Sequence, residues 1–97
     1  MTYIIYEMLD ECCDELSYSK HYYRKAKMLK DHVDLSRKYL SLAKAELEHA
    51  YILMNTAGVL YNSDEEKDKL TEVYEEKLEC YNCEYDKLSY LINKMTY

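Results

Sequence analysis

The sequence predicts an all-α fold: an antiparallel helical hairpin plus a third helix, packed as a bundle that a second copy of the chain completes. Three observations predict it. The 97 residues include one Gly and no Pro, and since these two residues punctuate turns, loops are few and helices long. Apolar residues recur at three- and four-residue steps through three segments. The apolar share of 48% suffices for a core despite 33% charged residues, but a single small domain buries only about 60% of the surface its unfolded chain exposes. Association with another copy adds burial.

The first helix is expected over residues 2–30, with Thr2 as its cap and an apolar stripe of Ile5, Met8, Leu9, Cys12, Leu16, Tyr23 and Ala26. Residues 30–34 form the turn, and Asp34 is a fair N-cap for the next helix. That helix spans residues 35–60. Its main stripe is Leu35, Tyr39, Leu42, Glu46, His49, Leu53, Thr56 and Leu60, an unbroken alternation of steps of four and three. A second stripe, Leu40, Leu47, Tyr51 and Met54, lies on another face, so this helix needs two partners. Gly58 is placed to end it as a left-handed cap. The third helix spans residues 64–96. It opens on a capping box of Ser63 and Glu66, and its stripe is Leu70, Val73, Tyr74, Leu78, Tyr81, Tyr85, Leu88, Ile92 and Met95.

Composition removes several function classes. The net charge is −6 and no Lys/Arg block stands out, which argues against nucleic acid, a ligand that rewards a basic patch. No run approaches the roughly 18 apolar residues of a membrane span. No basic segment precedes the apolar residues of the N-terminus, so it does not read as a signal peptide. The expected location is the cytoplasm, with reduced thiols. No Gly-rich phosphate loop or nucleophile elbow occurs.

The chemistry gathers on the second helix. Glu46 and His49 occupy two consecutive positions of an otherwise mostly apolar stripe, and charged residues are rarely buried unless paired or bound to metal. Their i, i+3 spacing sets a carboxylate and an imidazole side by side. Folding the first two helices about Asp31 sets level those residues whose numbers add to about 62, so Glu46 and His49 face the neighbourhood of Glu15. Glu7 and Glu11 lie further round the first helix.

Glu15, followed about thirty residues later by Glu46-Leu47-Glu48-His49, resembles half of a ferritin-like di-iron site, in which two helices each give a Glu and two others each give Glu-x-x-His. The stretch of residues 14–57 resembles small ferritin-like proteins of the rubrerythrin and encapsulated-ferritin kind, including short ones encoded by phages. The resemblance implies Glu15, Glu46 and His49 as metal ligands, with Fe as the metal and Mn or Zn as alternatives. It also implies ferroxidase-type activity and a two-fold homo-dimer or higher oligomer that assembles the full ligand set. A phage-encoded chain would work in the bacterial host cytoplasm. The chain departs from the pattern in having a single Glu-x-x-His. On the third helix Glu84 is the acid nearest the seam but more than a turn from the site, and Glu75, Glu76 and Glu79 lie on its outer face.

A second reading stays open beside this one: a non-catalytic helical interaction or adaptor module, such as a phage accessory protein, with a structural Glu46–His49 pair. The cysteines read as small, semi-buried helical residues. Cys80-Tyr81-Asn82-Cys83 is a C-x-x-C in mid-helix, without the turn that zinc knuckles use, and Cys80 is expected level with residue 18, well over a turn from Cys12. His21 and His32 are expected at the surface, and Tyr22 in the core near Glu15.

Overall fold

The computed structural model describes residues 2–95. Helices α1 (Thr2–Met28), α2 (Val33–Ser63) and α3 (Lys67–Lys94) follow in order, and the described residues contain no strand. The all-α fold is as expected. Residue 96, expected at the end of the third helix, lies outside the described residues.

The backbones of α1 and α2 approach closely enough for side chains of one to hydrogen-bond the backbone of the other. Ser19 Oγ donates to the Ala43 carbonyl at 2.8 Å, Ser36 Oγ to the Ala26 carbonyl at 2.7 Å, and the Cys12 thiol to the Ala50 carbonyl at 3.4 Å. In each pair the residue numbers add to 62, the register that folding about Asp31 predicts. A short side chain on one helix reaches the backbone of the other only when the backbones approach closely. Small residues permit this at seven-residue intervals: Cys12, Ser19 and Ala26 on α1, and Ser36, Ala43, Ala50 and Ala57 on α2, all buried.

This seam corrects the expected face of α2. Its buried residues are the small series, Tyr61, and Leu40, Leu47 and Met54 of the stripe expected on the other face; Tyr51 of that stripe is exposed. The stripe read as the main one flanks the seam: Tyr39, Glu46, Leu53 and Leu60 are half-buried, while Leu35, Leu42, His49 and Thr56 are exposed. Helix packing here is decided by side-chain size, which a hydropathy pattern ranks the wrong way round, since it places Leu above Ala. On α1 the expected stripe is buried apart from half-buried Met8, with Ser19 added. All nine stripe residues of α3 lie in the core or pack against it.

Helix ends differ from expectation: Thr2 is the first described residue of α1 and already helical rather than a cap, α1 ends at Met28 rather than at residue 30, and α3 begins at Lys67 rather than at residue 64. The first turn is residues 29–32; α2 begins at Val33, so Asp34 sits in its first turn rather than capping it. Ser63 is the last residue of α2 and its hydroxyl turns back to the Val59 and Leu60 carbonyls, so the capping box with Glu66 does not form. The Asp64 carboxylate instead accepts from the Glu66 N–H at 2.7 Å and shapes the turn. Gly58 does not end α2: it lies inside the helix and has no positive φ.

Gly58 instead makes room for α3. A Cβ there would come within 2.9 Å of the Tyr74 hydroxyl, and the Tyr74 ring is stacked on Tyr61 with centroids 4.1 Å apart. Ala in place of Gly stabilises a helix interior by about 1 kcal/mol, a gain opposed here by the hydroxyl. Removing that hydroxyl as well should release it: Gly58→Ala with Tyr74→Phe is expected to exceed the stability of Tyr74→Phe alone by roughly 0.5–1 kcal/mol in urea titrations. No gain in that background would refute the close-approach role of the glycine.

Helix α3 packs on one side of the hairpin and runs parallel to α1. Lys77 Nζ lies 4.0 Å from Cys13 Sγ and 4.0 Å from Asp10 Oδ1, Tyr85 contacts Tyr51, and Tyr61 hydrogen-bonds Thr71 at 2.8 Å. The flank bearing Tyr39, Glu46 and Leu53 on α2, and Met8, Glu15 and Tyr22 on α1, is the other side of the hairpin. Tyr22 is half-buried there, its ring 6.1 Å from that of Tyr39.

Candidate metal centre

Glu15, Glu46 and His49 meet at mid-length of the hairpin. Glu15 is the middle residue of α1, and Glu46 and His49 straddle the middle of α2. His49 Nδ1 lies 3.5 Å from Glu15 Oε2 and 3.9 Å from Glu46 Oε1. One donor atom from each residue falls within 4.8 Å of the others. The equal rise of two α-helices produces this level meeting once the turn is placed.

The surroundings of the two carboxylates are informative. Their side chains are 25% and 20% exposed, whereas His49 is 54% exposed. The cluster therefore sits in the wall of the hairpin's open side rather than inside the α1/α2/α3 core. Glu15 Oε2 itself is shielded from water and has no hydrogen-bond partner among the described residues. At 3.5 Å His49 is near enough for electrostatic attraction but does not donate a hydrogen bond to it. A buried acceptor without a donor is costly, typically about 1–3 kcal/mol. The three side chains could together hold a cation, whose charge would offset that cost.

Helix α3 contributes nothing to this cluster. Glu75, Glu76 and Glu79 are exposed, and half-buried Glu84 borders cavities shared with Lys20 on the α3 side of α1. His21 and His32 are exposed, as expected.

The thiols correct two expectations. Cys80 borders a cavity with Cys13, Leu16 and Ser17 and is near enough to Cys12 and Cys13 to act on both thiols, so it lies closer to that pair than the expected level of residue 18. The reason is that α2 runs through Gly58 to Ser63; moving the turn along the chain shifts the opposing register by twice as much. All four cysteines are free; Cys12 is buried and Cys13 half-buried, but Cys80 and Cys83 are exposed rather than semi-buried as expected, because α3 buries Tyr81 between them instead. Burial pushes the Cys12 thiol up to about 12, and Cys13, Cys80 and Glu15 add to the shift, so it stays protonated and donates to a carbonyl. The His/Cys/Asp/Glu grouping with ligand geometry among the described residues contains no cysteine. Replacing Cys80 and Cys83 by Ser should leave the metal content of the purified protein unchanged; loss of a stoichiometric zinc would refute this.

Fold and site together define a three-helix chain with a carboxylate–histidine cluster on the open face of a tight hairpin. No family model matches the chain, and no curated protein or solved structure does. Among the described residues no helix is long and apolar enough to cross a membrane.

Proposed function

We propose that this chain is a ferritin-like metal-binding protein whose centre is held by Glu15, Glu46 and His49 and is completed across a two-fold dimer. The orphaned, water-shielded Glu15 Oε2, facing His49 and Glu46, is the observation that carries the reading. Two carboxylates and an imidazole suit Fe, Mn or Zn. Bound iron would supply redox chemistry with O₂ or peroxide, the basis of a ferroxidase-type activity. The chain's own part is to offer the two carboxylates as charge-neutralising oxygen ligands and His49 as a neutral nitrogen ligand, all on rigid helices.

The partner reading follows from the position of the cluster. A two-fold axis through the middle of both helices overlaps two hairpins along their full length. On α1, Met8 and Tyr22 stand seven residues either side of Glu15; on α2, Tyr39 and Leu53 stand seven either side of Glu46. These four are half-buried, and an isologous contact pairs each such residue with its counterpart across the axis. The dimer would then hold four carboxylates and two imidazoles at its centre, with α3 on the outside of each half. A reducing, cytoplasmic setting suits four free thiols.

Elemental analysis after anaerobic Fe²⁺ loading tests the reading, with sedimentation velocity alongside. About one ion per chain, in a dimer or larger oligomer, is the expected result. Metal no greater than in Glu46→Ala/His49→Ala would overturn it. Exposed Leu35 and Leu42 on the same face favour one alternative, a metal-free adaptor that receives another protein's helix; that alternative predicts the same result for wild type and the double variant.

A further inference from the structure

On the α3 side of the molecule, away from the carboxylate cluster, α1 and α3 part enough to leave a cavity of about 220 Å³. Lys20, Arg24, Lys27 and Lys87 line it, with one acid, Glu84. The chain holds 13 Lys and Arg against 19 Asp and Glu, so four cations with one acid reverse the protein's own charge at this place. Its apolar wall is Tyr23, Leu88 and Leu91, of which Tyr23 and Leu88 are buried in the core. A second cavity, about 190 Å³, borders the same Lys20 and Glu84 and continues the line of the helices toward Leu16, Cys13 and Cys80.

Two helix C-termini point to this end of the molecule, and basic side chains there complement their dipoles. That accounts for cations at the helix ends, such as Lys25 and Lys27 in the last turn of α1. It does not account for Lys20, which is two turns from the end of α1 and half-buried between the two cavities. Lys27 Nζ lies 5.9 Å from the centroid of the Tyr23 ring and covers part of the apolar wall, while Leu88 and Leu91 line the rest of the cavity.

We propose that the α1/α3 groove binds an amphipathic organic anion: an alkyl or acyl chain carrying a carboxylate or phosphate head. The tail lies on Leu88, Leu91 and Tyr23 and extends past Lys20 toward Leu16, while Arg24, Lys27 and Lys87 hold the head. Arg24 offers the paired donors that match a carboxylate or phosphate edge, and the lysines add point charges. The apolar chain supplies affinity that a free inorganic anion lacks. The site shares no residue with Glu15, Glu46 and His49, so it is independent of the metal-centre reading.

Isothermal titration of the full chain, below the micelle concentration of each probe, tests the proposal. Dodecyl phosphate and dodecanoate should each bind at one site per chain, and their relative affinities separate a phosphate head from a carboxylate head. Dodecanol and inorganic phosphate should each bind at least tenfold more weakly. Arg24→Gln/Lys87→Gln, whose changes lie on exposed side chains, should lose tenfold or more for both anions with unchanged helicity by circular dichroism. Leu91→Asn should weaken dodecyl phosphate but leave the little binding of inorganic phosphate unaltered. Equal binding of dodecanol would overturn the proposal by leaving only apolar adsorption. Equal binding of inorganic phosphate, or no effect of Arg24→Gln/Lys87→Gln, would overturn it too.

Discussion

Glu46→Leu is expected to remove the response of the protein to metal without destabilising the metal-free form. In the wild type, saturation at a hundred times the dissociation constant adds about 2.7 kcal/mol of stability by mass action. For a chain of this size that raises Tm by roughly 10–20 °C. The variant should show no such rise. Its metal-free melt should equal or exceed that of the wild type, because Leu removes a carboxylate from beside Glu15 and extends the half-buried apolar flank of Tyr39, Leu53 and Leu60. The alternative is a structural Glu46–His49 pair. With His49 54% exposed and the two side chains 3.9 Å apart, such a pair contributes only about 0–1 kcal/mol, and its loss would lower the metal-free Tm slightly while metal changed neither protein. Anaerobic melts of both proteins with and without Fe²⁺ separate the outcomes. A metal-induced rise that survives in Glu46→Leu would exclude Glu46 as a ligand.

Ala50→Leu should be among the most damaging single changes in the chain. Ala50 is fully buried, and its carbonyl accepts the Cys12 thiol across the hairpin. A leucine there has nowhere to go: α1 must move off α2, and the seven-residue series above and below it must follow. Overpacking of this kind costs about 1–3 kcal/mol and occasionally more, or roughly 4–20 °C in Tm for a domain of this size. The separation would also lengthen the Ser19–Ala43 hydrogen bond and pull Glu15 away from His49, so metal binding should fall with stability. Ala45→Leu is the control. Ala45 is exposed one residue from Glu46, and the same added volume should change stability by no more than about 0.5 kcal/mol. Equal effects at the two positions would show that helix proximity does not govern this seam.

The meeting of Glu15 with Glu46 and His49 was legible without any tertiary information. Two antiparallel helices advance equally per residue, so one turn position determines every level pair. The same counting misplaces Cys80, because α2 continues through Gly58 to Ser63. A glycine stops a helix where φ must be positive; inside α2 it serves a close contact with Tyr74 instead, and no local pattern distinguishes the two uses. The α1/α3 groove was equally invisible, since Lys20 and Lys87 are 67 positions apart and only the packing of α3 brings them to one cavity.

The sequence by itself determined the number and order of the helices, the inner faces of α1 and α3, and the level at which the two glutamates and the histidine meet. These depend on helical period and on scarce turn residues, both local properties. Tertiary structure decided which face of α2 is buried. The helices close on Ser36, Ala43, Ala50 and Ala57 because small side chains let backbones approach, which places the larger Leu35 and Leu42 outside. That choice turns Glu46 and His49 from a core seam to an open flank. It rests on the fit of two surfaces to each other, a property neither helix has alone.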